Sequence, residues 1–168
     1  APVTAAGSSR IEPGCLSADG RVLVFTSTAA DLVEGDANGT LDVFAMDLQS
    51  RETQLVSVSS NGSASGSHFS CNPAVSADGR YVAFISPSTN LVEGDVSPDR
   101  YKLFLRDRVD QKTWLIATNV VRVSPPRIST DGSRVLFVTD DTPNALACYD
   151  RTTGATRVLQ PDFQGLDT

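Results

Sequence analysis

The sequence predicts an all-β fold: a β-propeller of four-stranded antiparallel blades, with three blades in the chain. Three observations lead there. A turn string recurs three times, as Ser17-Ala18-Asp19-Gly20-Arg21, Ser76-Ala77-Asp78-Gly79-Arg80 and Ser129-Thr130-Asp131-Gly132-Ser133, at separations of 59 and 53 residues. In each copy a later aspartate, Asp47, Asp107 or Asp150, closes a second apolar segment and precedes a threonine by six residues, at Thr53, Thr113 and Thr156. The strand after each turn is apolar on both faces, as in Val22-Leu23-Val24-Phe25 and Tyr81-Val82-Ala83-Phe84-Ile85.

An Asp-Gly pair followed by β-branched and aromatic residues is a turn feeding a strand, so each unit reads as four short strands with the Asp-Gly turn between the first two. In unit two these strands are expected at 73–76, 80–86, 101–107 and 112–118. A sheet with one wet face alternates apolar and polar residues, whereas these runs need cover on both sides. Stacking like units about an axis supplies that cover, because each propeller blade is sandwiched between its neighbours. The single domain spans residues 1–168, with blades at about 11–59, 71–118 and 124–160. A β-sandwich is the weaker all-β alternative, since its strands need not recur in groups of four.

The units resemble the WD-like blades of the TolB-type propeller family. Their shared pattern is a proline, two or three residues, Ser-x-Asp-Gly-Arg or Lys, and an apolar strand ending in Phe. Pro73, Ser76, Asp78, Gly79, Arg80 and Phe84 match it, as do Pro126, Ser129, Asp131, Gly132 and Phe137, where Ser133 replaces the basic residue and Arg134 follows. In unit one Pro13 is displaced by one position. The resemblance covers about residues 11–160 and implies the fold, a periplasmic or secreted location and a family ranging from interaction proteins to peptidase lids. It implies no particular activity, since this fold hosts many.

Three blades fall short of the four to eight that close a propeller ring, so a protein partner or self-association is expected. A second copy would make a six-bladed ring, and further blades of a longer polypeptide would serve equally. Residues 3–9 resemble the blade close at 56–62, and 161–168 read as a connection toward another blade. The sequence opens Ala1-Pro2-Val3 rather than with Met, as a trimmed or excised chain does.

Fourteen basic against twenty acidic residues, a net charge of −6, is a poor footprint for nucleic acid or an anionic membrane surface. No apolar run approaches the roughly 20 residues that cross a bilayer, so no membrane insertion is expected. Cys15, Cys71 and Cys148 lack metal-type spacing and read as small buried apolar residues, with a Cys15 to Cys71 disulfide as the alternative.

Catalytic signatures are lacking. The single histidine, His68, lies in a Ser- and Gly-rich connection, and Ala64 stands where a Gly-x-Ser-x-Gly elbow would put its nucleophile. No phosphate loop or dinucleotide fingerprint occurs, and no cofactor is expected apart from calcium. Asp36, Asn38, Thr40 and Asp42 carry oxygens at every second residue, the spacing of a calcium loop. Leu41 stands where an EF-hand needs Gly, however, and local Asx-turns account for the same residues. Unit two echoes the loop at 91–99, and unit three lacks it. Asp19, Asp78 and Asp131 read as turn residues. Trp114, in the outermost strand of blade two, is a candidate partner anchor if exposed and a packing residue if covered by a neighbouring blade.

The function expected from these readings is a non-enzymatic interaction or assembly module. The alternatives are the propeller portion of a hydrolase or glycan-active protein with its catalytic residues elsewhere, and a calcium-stabilised structural element.

Overall fold

Twelve strands in three separate four-stranded antiparallel sheets make up the regular structure of a computed structural model that describes residues 6–94 and 100–163. Blade one contains β1 (Ser9–Arg10), β2 (Val22–Ser27), β3 (Asp42–Asp47) and β4 (Thr53–Leu55). Blade two contains β5 (Cys71–Val75), β6 (Tyr81–Ser86), β7 (Lys102–Asp107) and β8 (Lys112–Ala117). Blade three contains β9 (Arg127–Ile128), β10 (Arg134–Thr139), β11 (Ala145–Asp150) and β12 (Ala155–Gln160). In every sheet the strands lie side by side in chain order.

The second and third strands keep one register in all three blades. Val22 stands opposite Asp47, Tyr81 opposite Asp107, and Arg134 opposite Asp150. Phe25 lies opposite Phe44, and Phe84 opposite Phe104, with ring centroids 5.6 Å apart in both pairs.

Period-two alternation then divides each blade between two neighbours. Val22, Val24, Val43 and Ala45 of blade one pack on Val82, Phe84 and Phe104 of blade two. From the opposite face of blade two, Tyr81, Ala83, Ile85, Leu103 and Leu105 pack on Val135, Phe137, Ala147 and Tyr149 of blade three. All six residues of β6 are buried, as a doubly covered strand must be. The first strands lie nearest the adjoining blades, β5 touching β2 and β3 while β9 touches β5 and β6.

The innermost strands depart from the sequence expectation. Blade one begins at Ser9, pairing with Ser27, before the expected start at 11, and regains its pairing only at a bridge between Leu16 and Leu23. Pro13 has no N–H to offer a ladder and Gly14 adopts a φ of 84°, so the intervening chain leaves the sheet. Blade two keeps a longer first strand, but its register shifts between Cys71 and Ala74, across Pro73.

The Asp-Gly turn is also wider than a two-residue hairpin. Ser17 N–H donates to Val22 O at 2.9 Å, enclosing four residues, and only the glycine is left-handed, at 71°. Asp19 Oδ1 accepts from Ser17 Oγ (2.6 Å) and Arg21 N–H (3.0 Å), while Val22 N–H donates to Ser17 Oγ (2.8 Å). Ser76 with Asp78 and Ser129 with Asp131 repeat the arrangement. The three aspartates are the turn residues the sequence suggested.

Candidate functional site

The loop between β2 and β3 is anchored on the segment that follows β4. Ser65 N–H donates to Gly35 O at 3.1 Å, and Asn38 Nδ2 donates to Gly66 O at 2.8 Å. Gly35, at φ 85°, lies so close to this segment that a Cβ there would stand 2.9 Å from Ser63 O. Asp42 enters β3 opposite Ser27 and accepts from Ser57 Oγ at 2.6 Å through Oδ1. Asp36, Asn38 and Asp42 are thereby held against one short stretch, 57–66.

Both carboxylates are buried, Asp36 at 6% and Asp42 at 0% exposure. Asp36 Oδ1, Thr40 Oγ1 and Asp42 Oδ2 are sealed from solvent, and none has a hydrogen-bond partner. Burial pushes the Asp42 carboxyl up to about 6, against the Ser57 and Asn38 hydrogen bonds and with the Asp36 charge adding to the rise. Burial raises Asp36 as well, opposed by the Ser65 hydroxyl. Asn38 stands apart: its Oδ1 accepts Thr40 N–H at 2.8 Å in an Asx-turn, the local role the sequence allowed. Sequence reasoning missed Ser57 and Ser65, which lay in what read as a Ser-rich connection.

Blade two handles the same position differently. Lys102 lies opposite Ser86, as Asp42 lies opposite Ser27, and its ammonium donates to Pro87 O and Ser88 O at 3.0 Å each. The second half of the echoed loop, 95–99, lies outside the described residues.

Trp114 is half-buried in the outermost strand of blade two, opposite Leu105, and packs against the core shared with blade three. Lys112 Nζ sits 5.3 Å from its ring centroid, so the indole is already in contact with both the core and a cation. His68 is exposed, with Nδ1 3.1 Å from Ser67 Oγ. Cys15, Cys71 and Cys148 are free and buried, and Cys15 Sγ donates to Pro73 O at 3.3 Å.

The two end faces carry a different feature. A relay of backbone hydrogen bonds joins the turns of successive blades, Ala18 N–H to Ala77 O and Ala77 N–H to Thr130 O, both 2.9 Å. At its ends, Ala18 O and Thr130 N–H have no backbone partner among the described residues. The turn glycines follow the same sequence. A Cβ on Gly79 would stand 2.6 Å from Val22 Cγ2, and one on Gly132 would stand 2.3 Å from Tyr81 Cδ2, whereas one on Gly20 would meet nothing within 4 Å.

Apolar residues lie on both end faces. Blade one presents a hollow of about 290 Å³ lined by Ile11, Leu23, Phe25 and Met46, with Ile11 67% exposed. On blade three, Leu136 faces away from the core beside Cys148, and Leu159 borders the hollow that Cys148 also lines.

The fold is that of the TolB-type propellers. TolB from Acinetobacter baumannii superposes with a TM-score of 0.64 at 17% identity, covering 94% of this chain and 33% of that one. The β-propeller domain of the Trilobed protease from Pyrococcus furiosus, described as having an open velcro topology, gives 0.53 at 16% identity over 84% and 39%. Oligogalacturonate lyase from Vibrio parahaemolyticus gives 0.52 at 13% identity over 95% and 48%. The chain spans between a third and a half of the length of these three structures. No protein-family model matches the sequence, and no curated protein matches it either.

Proposed function

We propose that the chain is a non-enzymatic assembly module whose two end faces dock further four-stranded blades to complete a propeller. The observation that carries this reading is the interrupted relay. Each internal blade junction combines a turn-to-turn hydrogen bond with a side chain packed on a glycine, and the matching donor, acceptor and glycine at the ends have no such partner among the described residues. The exposed Leu136, Leu159 and Ile11 support it, because apolar surface of this kind is stabilised by cover. A second copy is the simplest source of the missing blades and gives six by two-fold symmetry, within the usual range for the fold. The location proposed is extracytoplasmic, in keeping with the TolB-type fold.

Sedimentation of the purified chain over a concentration series tests the reading. Association above the 17.8 kDa chain mass is expected, weakened by Leu136→Glu while the strand circular dichroism signal is retained. A concentration-independent monomer, or association indifferent to Leu136→Glu, would overturn it.

A further inference from the structure

Blades one and two meet the same structural position with opposite charge. Asp42 and Lys102 each open the third strand of their blade, and each is essentially inaccessible, at 0% and 1% exposure. The turn beside them is shared: Ser27 Oγ accepts Ala29 N–H at 3.0 Å, as Ser86 Oγ accepts Ser88 N–H at 3.1 Å. In blade two that turn presents the Pro87 and Ser88 carbonyls to an ammonium. By repeat, Thr28 and Ala29 are the counterparts in blade one, where the chain supplies a carboxylate. Blade three has Ala145 at this point and a shorter loop.

A buried carboxylate oxygen without a partner is costly, and two on neighbouring carboxylates are more so. Asp36 Oδ1, Asp42 Oδ2 and Thr40 Oγ1 are three such acceptors, all sealed and all without a donor. No three Asp, Glu, His or Cys side chains gather among the described residues, so these donors are two carboxylates plus a neutral hydroxyl. Oxygen-only donors suit a hard cation and give a thiolate- or imidazole-seeking metal nothing to bind. The reach also agrees: a cation ~2.4 Å beyond an Asp carboxylate lies roughly 6 Å from the Cα, about as far as an extended Lys ammonium.

We propose that blade one binds a hard divalent cation, best matched by calcium, between Asp36 and Asp42 with Thr40 Oγ1 as a third donor. The bound ion does in blade one what the Lys102 ammonium does in blade two, and locks the β2–β3 loop onto the 57–66 segment. Asn38 acts here through the backbone, its Asx-turn setting the loop curvature that brings Thr40 inward. Water and main-chain carbonyls complete the six to eight oxygens that calcium takes. Two carboxylates with neutral donors imply a modest affinity, on the order of 10⁻⁴ to 10⁻³ M, as in extracellular calcium modules.

The experiment is a thermal melt of chelator-treated chain in calcium, in magnesium and in sodium chloride of matched ionic strength. Calcium at ~10 mM is expected to raise the melting temperature by roughly 3–10 °C, magnesium by less and sodium not at all. Asp36→Asn is expected to weaken the calcium response at least tenfold in concentration. Asp42→Lys, which imports the blade-two solution, is expected to abolish the response. Equilibrium dialysis of the parent chain with labelled calcium gives a second readout that needs no variant to fold. No calcium uptake by the parent overturns the proposal, as does a response that sodium reproduces or that survives both substitutions. Neither result bears on whether the end faces dock further blades.

Discussion

Arg80 and Asp107 are joined across the β6–β7 hairpin by three hydrogen bonds, from Nε at 3.0 and 2.9 Å and from Nη2 at 2.6 Å. The aspartate side chain is 1% exposed and also accepts Val109 N–H and Asp110 N–H at 2.9 and 3.1 Å. One carboxylate therefore closes the turn after its own strand and tethers the arginine that leaves the Asp-Gly turn. Burial works against its ionisation, but the Arg80 side chain and those two N–H groups override it and hold the carboxyl below the usual range. The Arg21 to Asp47 and Arg134 to Asp150 pairs repeat the bridge at 2.7 and 3.1 Å, with arginine side chains 56% and 59% exposed. In blade three the arginine comes one residue later, yet it lies opposite Asp150 in the strand register and still reaches it.

Asp107→Ala is expected to lower stability most among the three, by about 2–4 kcal/mol, because it strands turn N–H groups and a partly buried guanidinium. Asp47→Ala should cost less, the share from its exposed ion pair being at most about 1 kcal/mol. Denaturant unfolding of both variants checks the order, and a larger loss at Asp47 would refute this account of the bridge.

The repeat made the blade count, the turn aspartates and three of the four strand positions per blade legible, because these depend on neighbours within a few residues. The bridge was not, although the constant spacing of Asp47, Asp107 and Asp150 marked its acidic partner. Its geometry follows from hairpin register, which places Tyr81 opposite Asp107 over more than twenty intervening residues. The same reason hid Ser57 and Ser65: alternating oxygens pointed to Asp36, Thr40 and Asp42, but the segment that buries them arrives only after β4. Pro13 was visible in the sequence, whereas the resulting gap between Arg10 and Leu16 in the innermost strand was not.

Acid sensitivity follows from the turn carboxylates. Asp131 is held down to about 2 by the Ser129 hydroxyl, then by the Ser133 N–H and hydroxyl. Asp47 is also at about 2, held by Ser50 N–H and then by the Arg21 side chain. The unfolded value is near ~3.9, so between ~4 and ~2 the unfolded chain binds more protons and stability falls with falling pH. Urea titrations at several pH values are expected to show a shallower loss over that window for Asp131→Asn than for the parent. Equal slopes would mean that these hydrogen bonds are absent in solution.

Backbone strain separates the blades at one repeated position, two residues before the constant threonine. Arg51 and Gln111 adopt φ of 64° and 51°, whereas blade three has Gly154 at 72°. A left-handed non-glycine residue costs about 1–2 kcal/mol, partly offset by the unfolded-state entropy of glycine. Gln111→Gly is thus expected to stabilise the chain by up to about 1 kcal/mol, and Gly154→Ala to destabilise it by about 1 kcal/mol. Arg106 Nη1 donates to the Gln111 carbonyl at 2.8 Å, a main-chain acceptor that the substitution keeps. Loss of stability in Gln111→Gly would show that its side chain contributes more than the strain removes.

The turn glycines offer a direct measure of what covers the first blade. Gly132→Ala drives a methyl to 2.3 Å from Tyr81 Cδ2 and Gly79→Ala drives one to 2.6 Å from Val22 Cγ2, each at a positive φ. Each should cost more than the ~1–2 kcal/mol of conformational strain alone, since the ring or the valine must move within a packed junction. Gly20 has the same φ class with nothing within 4 Å, so in the lone chain Gly20→Ala should cost only that conformational share. If a further blade seats there, its side chain meets Gly20 as Val22 meets Gly79, and the substitution then weakens assembly as well as folding. Measuring Gly20→Ala at protein concentrations below and above the association midpoint separates the two contributions. A cost that stays constant across the midpoint would mean that no blade packs on this turn.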